Sequence, residues 1–213
     1  LRIAFSPDLG YAAVQSDVAA VAEEAAVVFE RMGHELRPVA GGPPDPGRDW
    51  LLLGGFEQFT KLAPLLPAHE AEFGRAYLAG VKLAAERMSP ERWHDYRRRR
   101  QALVAWCAAL FDEFDLLLTP TIPYDPPAAK GPLLPEVEGR RQPHSNIGSF
   151  TMPFNFGLNP AASVRAGFSR AGLPVGLQIV GPRHRDDLVL QASFAFERER
   201  PWHPSWPDPL GAT

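Results

Sequence analysis

The stretch from Thr151 to Gly181, TMPFNFGLNPAASVRAGFSRAGLPVGLQIVG, constrains the fold more than any other. Val164, Ala166 and Phe168 alternate with Ser163, Arg165 and Ser169, and Leu173, Val175, Leu177 and Ile179 alternate with Pro174, Gly176 and Gln178. Period-two patterning predicts two strands, each with one buried face. Their join, Ser169-Arg170-Ala171-Gly172, is short and carries a glycine, which predicts a hairpin. Pro174 has no ladder donor and belongs at a strand's beginning or a bulge, while Gly176 marks either a close approach or a bulge. Ahead of the hairpin, Thr151 to Asn159 is expected to be a loop, because its Asn, Pro and Gly exceed what packing requires.

The chain before this stretch alternates strand and helix signals. Leu1 to Ser6 patterns as a strand already under way, so the expectation is a segment cut from something longer. A helix follows, with Ser16 as N-cap, Asp17 in the first turn and Gly33 as the stop. Glu35 to Val39 is a second short strand, giving a βαβ unit. Ala40 to Arg48 is a breaker cluster, hence a loop. Trp50 to Leu66 is a helix interrupted by proline, and Ala68 to Arg87 is helical in pattern. Ser89-Pro90 starts a helix as N-cap and first helical residue. Its buried face is drawn through Trp93, Leu103, Trp106, Cys107, Leu110, Phe111 and Phe114. Asp115 to Thr119 is an apolar strand ended by Pro120, and Pro123 to Pro143 is a long connection. Asp186 to Arg200 closes as a helix, and the tail from Pro201 is irregular. The order of strands and helices predicts an α/β class with a mixed, twisted β-sheet flanked by helices, in one large domain or two small ones.

Composition narrows the function classes. Apolar residues make up 45% and charged residues 22%, as in a soluble globular protein, and the net charge is −3, so the overall field favours neither nucleic acid nor an anionic membrane. No run reaches the ~18 apolar residues of a membrane span, and no signal peptide is visible, so a cytoplasmic protein is expected. Cys107 is the single cysteine, which removes internal disulfides and cysteine clusters; on its apolar helical face it is expected to be an inert thiol. The six histidines lack the paired spacing of a zinc helix. His184 and Asp187 have no nucleophile elbow to serve, and the Gly41-Gly42 and Gly54-Gly55 pairs lack a phosphate-loop pattern. Arg97 to Arg100 is expected to form a solvated helix face, with one member turned inward to a carboxylate; phosphate or carboxylate binding is the alternative. The residues alone therefore give a sheet domain without a catalytic set.

A resemblance adds to this. Thr151, Pro153, Asn155, Pro160, Ala161 and Ser163, followed by Gly172, Pro174, Gly176, Gln178 and Gly181 and an acidic helix start, resemble the C-terminal signature region of the amidase signature family. The opening LRIAFSPDLG, the helix ending at Met32-Gly33-His34 and the DLLLTPT strand agree. Asn159, where the family usually has glycine, and Arg165, where proline is common, depart from it. The resemblance implies amide hydrolysis by a Ser-cis-Ser-Lys triad, with backbone amides of a Gly/Ser-rich loop holding the oxyanion. That machinery belongs to the family's N-terminal half, and no GGSSGGS-type segment or matching lysine is present here. The resemblance therefore implies that residues 1–213 are the C-terminal portion of a single amidase domain, inactive alone, without a catalytic residue and without a cofactor or metal.

By the same resemblance, Phe150, Thr151 and Asn155 form the loop facing the nucleophile, and Thr119 ends a strand nearby; these are the expected substrate-binding residues. The expected partners are a small-molecule amide substrate and either the N-terminal half or a second copy of this chain. The A subunit of a tRNA-dependent amidotransferase and a non-catalytic scaffold are the alternatives. The amidotransferase protein carries an acidic residue just before the T-x-P pattern, where this chain has Ile147, Gly148 and Ser149, which favours a less polar substrate than glutamine.

Overall fold

The computed structural model describes residues 1–44 and 49–201 of the chain. Most of the expected tail and the end of the Ala40 to Arg48 loop lie outside the described residues. The elements are β1 (Arg2–Phe5), α1 (Ser16–Arg31), β2 (Glu35–Pro38), α2 (Asp49–Leu62), α3 (Leu66–His69), α4 (Arg75–Arg87), α5 (Pro90–Glu113), β3 (Leu116–Pro120), β4 (Glu136–Val137), β5 (Arg140–Arg141), α6 (Met152–Gly157), β6 (Ala161–Phe168), β7 (Pro174–Val180) and α7 (Asp186–Glu199). A five-stranded sheet runs in the order β2-β1-β3-β7-β6, parallel among the first three strands and antiparallel beyond. The mixed sheet matches expectation.

The core follows from the sequence pattern. Leu116, Leu117 and Leu118 are all fully buried; enclosing consecutive side chains requires cover on both faces of the sheet, and each such leucine contributes about 1.5–3 kcal/mol. Helices α1 and α7 meet over the sheet, where the Phe29 and Phe196 rings stack at 5.6 Å. Leu103 and Cys107 of α5 and Phe154 of α6 join the same core. Gly33, at φ 87°, stops α1 as expected, with backbone bonds from Gly33 to Glu30 and from His34 to Phe29.

Several expectations are corrected. Ser16 is the first residue of α1, not its cap: Gln15 holds the N-cap position without a side-chain capping bond, and the Ser16 hydroxyl donates instead to Glu138 Oε1 at 2.8 Å. The helix expected over Ala68 to Arg87 begins only at Arg75, after the 3-10 turn Glu70–Glu72 and the extended Phe73. Trp93 is 38% exposed, and Tyr96 takes the inward position on α5. Thr151 to Asn159 is not a loop, since Met152–Gly157 is helical with Pro153 in its first turn, where its missing N–H costs nothing. In β6 a bulge between Arg165 and Gly167 shifts the register against β7, so the alternation breaks and Phe168 is 56% exposed.

The long connection is pinned rather than loose. Gln142 Nε2 donates to Ala13 O at 2.6 Å, Arg140 Nη2 donates to Val14 O at 2.5 Å, and Gln15 Nε2 donates to Asp125. These bonds clamp the loop between β1 and α1 against the β4–β5 hairpin.

Candidate functional site

Cross-strand pairing builds a polar seam at the end of β3. Gln178 on β7 faces Thr119 on one side and Ser163 on the other. Its Nε2 donates to Thr119 Oγ1 at 3.0 Å and to Phe150 O at 2.9 Å. Thr119 Oγ1 in turn donates to Pro120 O at 2.8 Å. Thr119 and Phe150 are fully buried and Gln178 nearly so. A buried amide with both hydrogens engaged fixes its neighbours, because leaving them unpaired is costly. One side chain thus ties two strands to the segment that leads into α6. From the other direction the Tyr11 hydroxyl donates to Ser149 O at 2.5 Å.

Gly176 is explained by the same seam. A Cβ there would lie 2.6 Å from Thr121 Oγ1 and 2.7 Å from Ser163 Oγ. Those hydroxyls are hydrogen-bonded to each other at 2.7 Å. The glycine marks a close approach, and the register shift lies on the neighbouring strand.

Of the expected substrate-binding residues, Asn155 lines a cavity. It is exposed on α6 and shares a space of about 360 Å³ with Leu53, Glu57, Tyr96, Arg100 and Phe156, between α2, α5 and α6. Thr151 is half-buried at the start of α6. Thr119 and Phe150 do not line this cavity; their groups are committed to the seam. Burial pushes the Tyr96 phenol up from its ordinary value, with Arg100 opposing and Glu57 adding, so it remains a neutral donor at physiological pH. Arg99 and Arg100 are the half-buried members of the arginine run: Arg99 Nε donates to Asp95 Oδ2 at 2.7 Å, the expected contact with a carboxylate, while Arg100 Nε donates to Phe156 O at 3.1 Å. Helical spacing could have singled out Arg100 and Tyr96 together; Glu57 arrives only through the packing of α2 on α5.

These groups can bind and orient, but they do not form a nucleophile with its base. The Ser145 and Ser149 hydroxyls lie 3.0 Å apart, yet Ser149 Oγ donates to Asn146 O at 2.5 Å. Among the described residues no hydrogen bond joins a lysine to a serine, and Lys82 is paired with Glu70 at 2.7 Å. The Cys107 thiol is pushed up to about 11 by burial, with Arg183 pulling weakly the other way. It is protonated at neutral pH and a poor nucleophile.

The family model described as Amidase matches residues 1–190, and the chain belongs to the amidase family. It is 32% identical over 212 residues to an acylamidase of Rhodococcus erythropolis, covering 95% of this chain and 43% of that protein. A stretch of 94 residues, 44% of this chain and 18% of the relative, is 45% identical to the A subunit of the glutamyl-tRNA(Gln) amidotransferase of Geobacter sp. (strain M21). Among solved structures, a bacterial aryl acylamidase of the amidase signature family superposes with a TM-score of 0.80 at 27% identity, covering 94% of this chain and 44% of that one. A 6-aminohexanoate cyclic dimer hydrolase complexed with substrate superposes with a TM-score of 0.72 at 25% identity, covering 95% and 45%. The chain thus spans less than half the length of these relatives.

Proposed function

We propose that this chain is the C-terminal part of a single amidase domain, which hydrolyses a carboxamide to a carboxylate and ammonia or an amine. In this reading it supplies sheet and pocket wall, and the rest of the protein supplies the nucleophile, its lysine and the oxyanion loop. The observation that carries it is a family match across residues 1–190 joined to a cavity whose polar groups bind but do not attack. Asn155 and Thr151 meet the substrate. Thr119 and Phe150 act by holding the approach to α6 in place through Gln178. The substrate is an amide less polar than glutamine, and a cytoplasmic location belongs to the same reading.

The test is kinetic. In the complete protein, Asn155→Ala lowers kcat/KM for an aryl amide such as acetanilide by about ten-fold or more, the loss of one positioned hydrogen bond. An unchanged kcat/KM would remove Asn155 from the pocket. The 45% identity to an amidotransferase component over 94 residues favours a second reading, in which the protein is the A subunit of such a complex. Glutamine-dependent ammonia release by the complete protein would select it.

A further inference from the structure

The arginine run divides into two pairs. Arg98 Nη2 and Arg99 Nε both bond to Asp95, at 2.5 and 2.7 Å. Arg97 and Arg100 share the side of α5 that continues through Val104 and Ala108, at helical spacing. There they meet Arg183, from the turn after β7. Arg100 donates its Nε–H to Phe156 O at 3.1 Å and Arg183 donates its own to Gly157 O at 2.6 Å. These are the last two residues of α6, whose terminal carbonyls lack intrahelical partners and attract cations. Two guanidiniums are therefore anchored through Nε, and no hydrogen bond among the described residues engages their Nη groups. Leu158, at φ 56° and 60% exposed, lies beside them. The resulting groove, about 460 Å³, is lined by three arginines and Gln101 over an apolar floor, and among the described residues no acidic side chain lines it.

We propose that this groove binds an amphiphilic monocarboxylate, with an aryl or short alkyl body. Guanidinium matches carboxylate in a planar, two-bonded geometry, and pinning through Nε pre-organises the fork that does so. Val104, Ala105, Ala108 and Leu158 offer the surface on which the body of the ligand loses water. Three like charges along one groove repel one another, and although Glu57 shares the neighbouring cavity with Arg100 and Asp112 lines an adjoining one with Arg183, a bound anion between them relieves part of that cost. The groove shares Arg100 and Leu158 with the Asn155 cavity, but Arg97, Ala105 and Arg183 line only the groove side. The claim concerns binding and stands whether or not the protein hydrolyses amides.

Calorimetric titration of the complete protein with phenylacetate tests it, with phenylacetamide and inorganic phosphate as comparators. The expected result is that phenylacetate binds at least about ten-fold more tightly than either comparator. Ala105→Asp, an exposed helical position that places a carboxylate in the groove, abolishes binding, and Arg97→Gln combined with Arg183→Gln weakens it by about ten-fold or more. Arg98→Gln, outside the groove, leaves it unchanged. Phosphate binding as tightly as phenylacetate, retention of binding in Ala105→Asp, or no binding by the complete protein would each overturn the proposal.

Discussion

At the scale of single residues, Gly176 and Gln178 carry complementary loads. Gly176→Ala forces a methyl against the Thr121 and Ser163 hydroxyls at 2.6 and 2.7 Å. It is expected to cost about 1–3 kcal/mol, the range for overpacking, measurable by urea unfolding. Gln178→Leu keeps the volume but strips Phe150 O and Thr119 of their shared donor. A loss of about 1–3 kcal/mol follows from the groups left unpaired; an unchanged urea midpoint would show that the seam contributes nothing. Cys107 makes a kinetic prediction. With its thiol pushed up to about 11, on the order of one in a thousand molecules is thiolate at pH 8. Iodoacetamide should leave it unmodified in the folded protein and label it readily in denaturant. Gly176 is legible in the sequence because glycine inside a strand is conspicuous. The bonds of Gln178 are not, because they join three segments whose meeting depends on the register of the sheet.

Elements show the same division. The hairpin, the βαβ opening and the start of α5 at Ser89-Pro90 are legible because each is set locally; Ser89 Oγ accepts from Arg92 N at 3.3 Å, as a capping serine should. The bulge in β6 and the helix at Met152–Gly157 are hidden. A bulge changes the phase of burial without changing composition, and a six-residue helix lacks the length over which periodicity can be recognised. Asp17 shows how tertiary partners redefine a local signal. Its position marks it as a first-turn acid, and it also accepts from Arg170 N in the hairpin turn at 2.7 Å. That bond, with help from Gln15, holds its carboxyl below the ordinary range against the opposing effect of burial. Because the folded form binds the proton less readily than the unfolded chain, its stabilisation is complete above the unfolded value of about 3.9. It disappears as pH falls through the lower folded value. Asp17→Asn should therefore lose about 1–3 kcal/mol at neutral pH and show a flatter decline in stability below about pH 4. An acid-unfolding profile with wild-type slope would contradict this.

For the whole molecule, the five-stranded sheet ends at β2 on one side and β6 on the other. A terminal strand presents unpaired N–H and C=O groups that favour association. The family relatives are more than twice as long as this chain. Isolated residues 1–213 are accordingly expected to self-associate or to hold a second chain, and a clean monomer in light scattering would count against that. Among the described residues no helix is long and apolar enough to cross a membrane. The central claim is that this part of the protein walls the substrate pocket while the attacking serine lies elsewhere. The most direct measurement is to treat the complete protein with a serine-reactive fluorophosphonate and map the labelled peptide by mass spectrometry. A single modified serine outside the sequence of residues 1–213 is predicted, with no labelling of the isolated chain. A stoichiometric adduct on a serine within it, Ser145 or Ser149 above all, would contradict that claim.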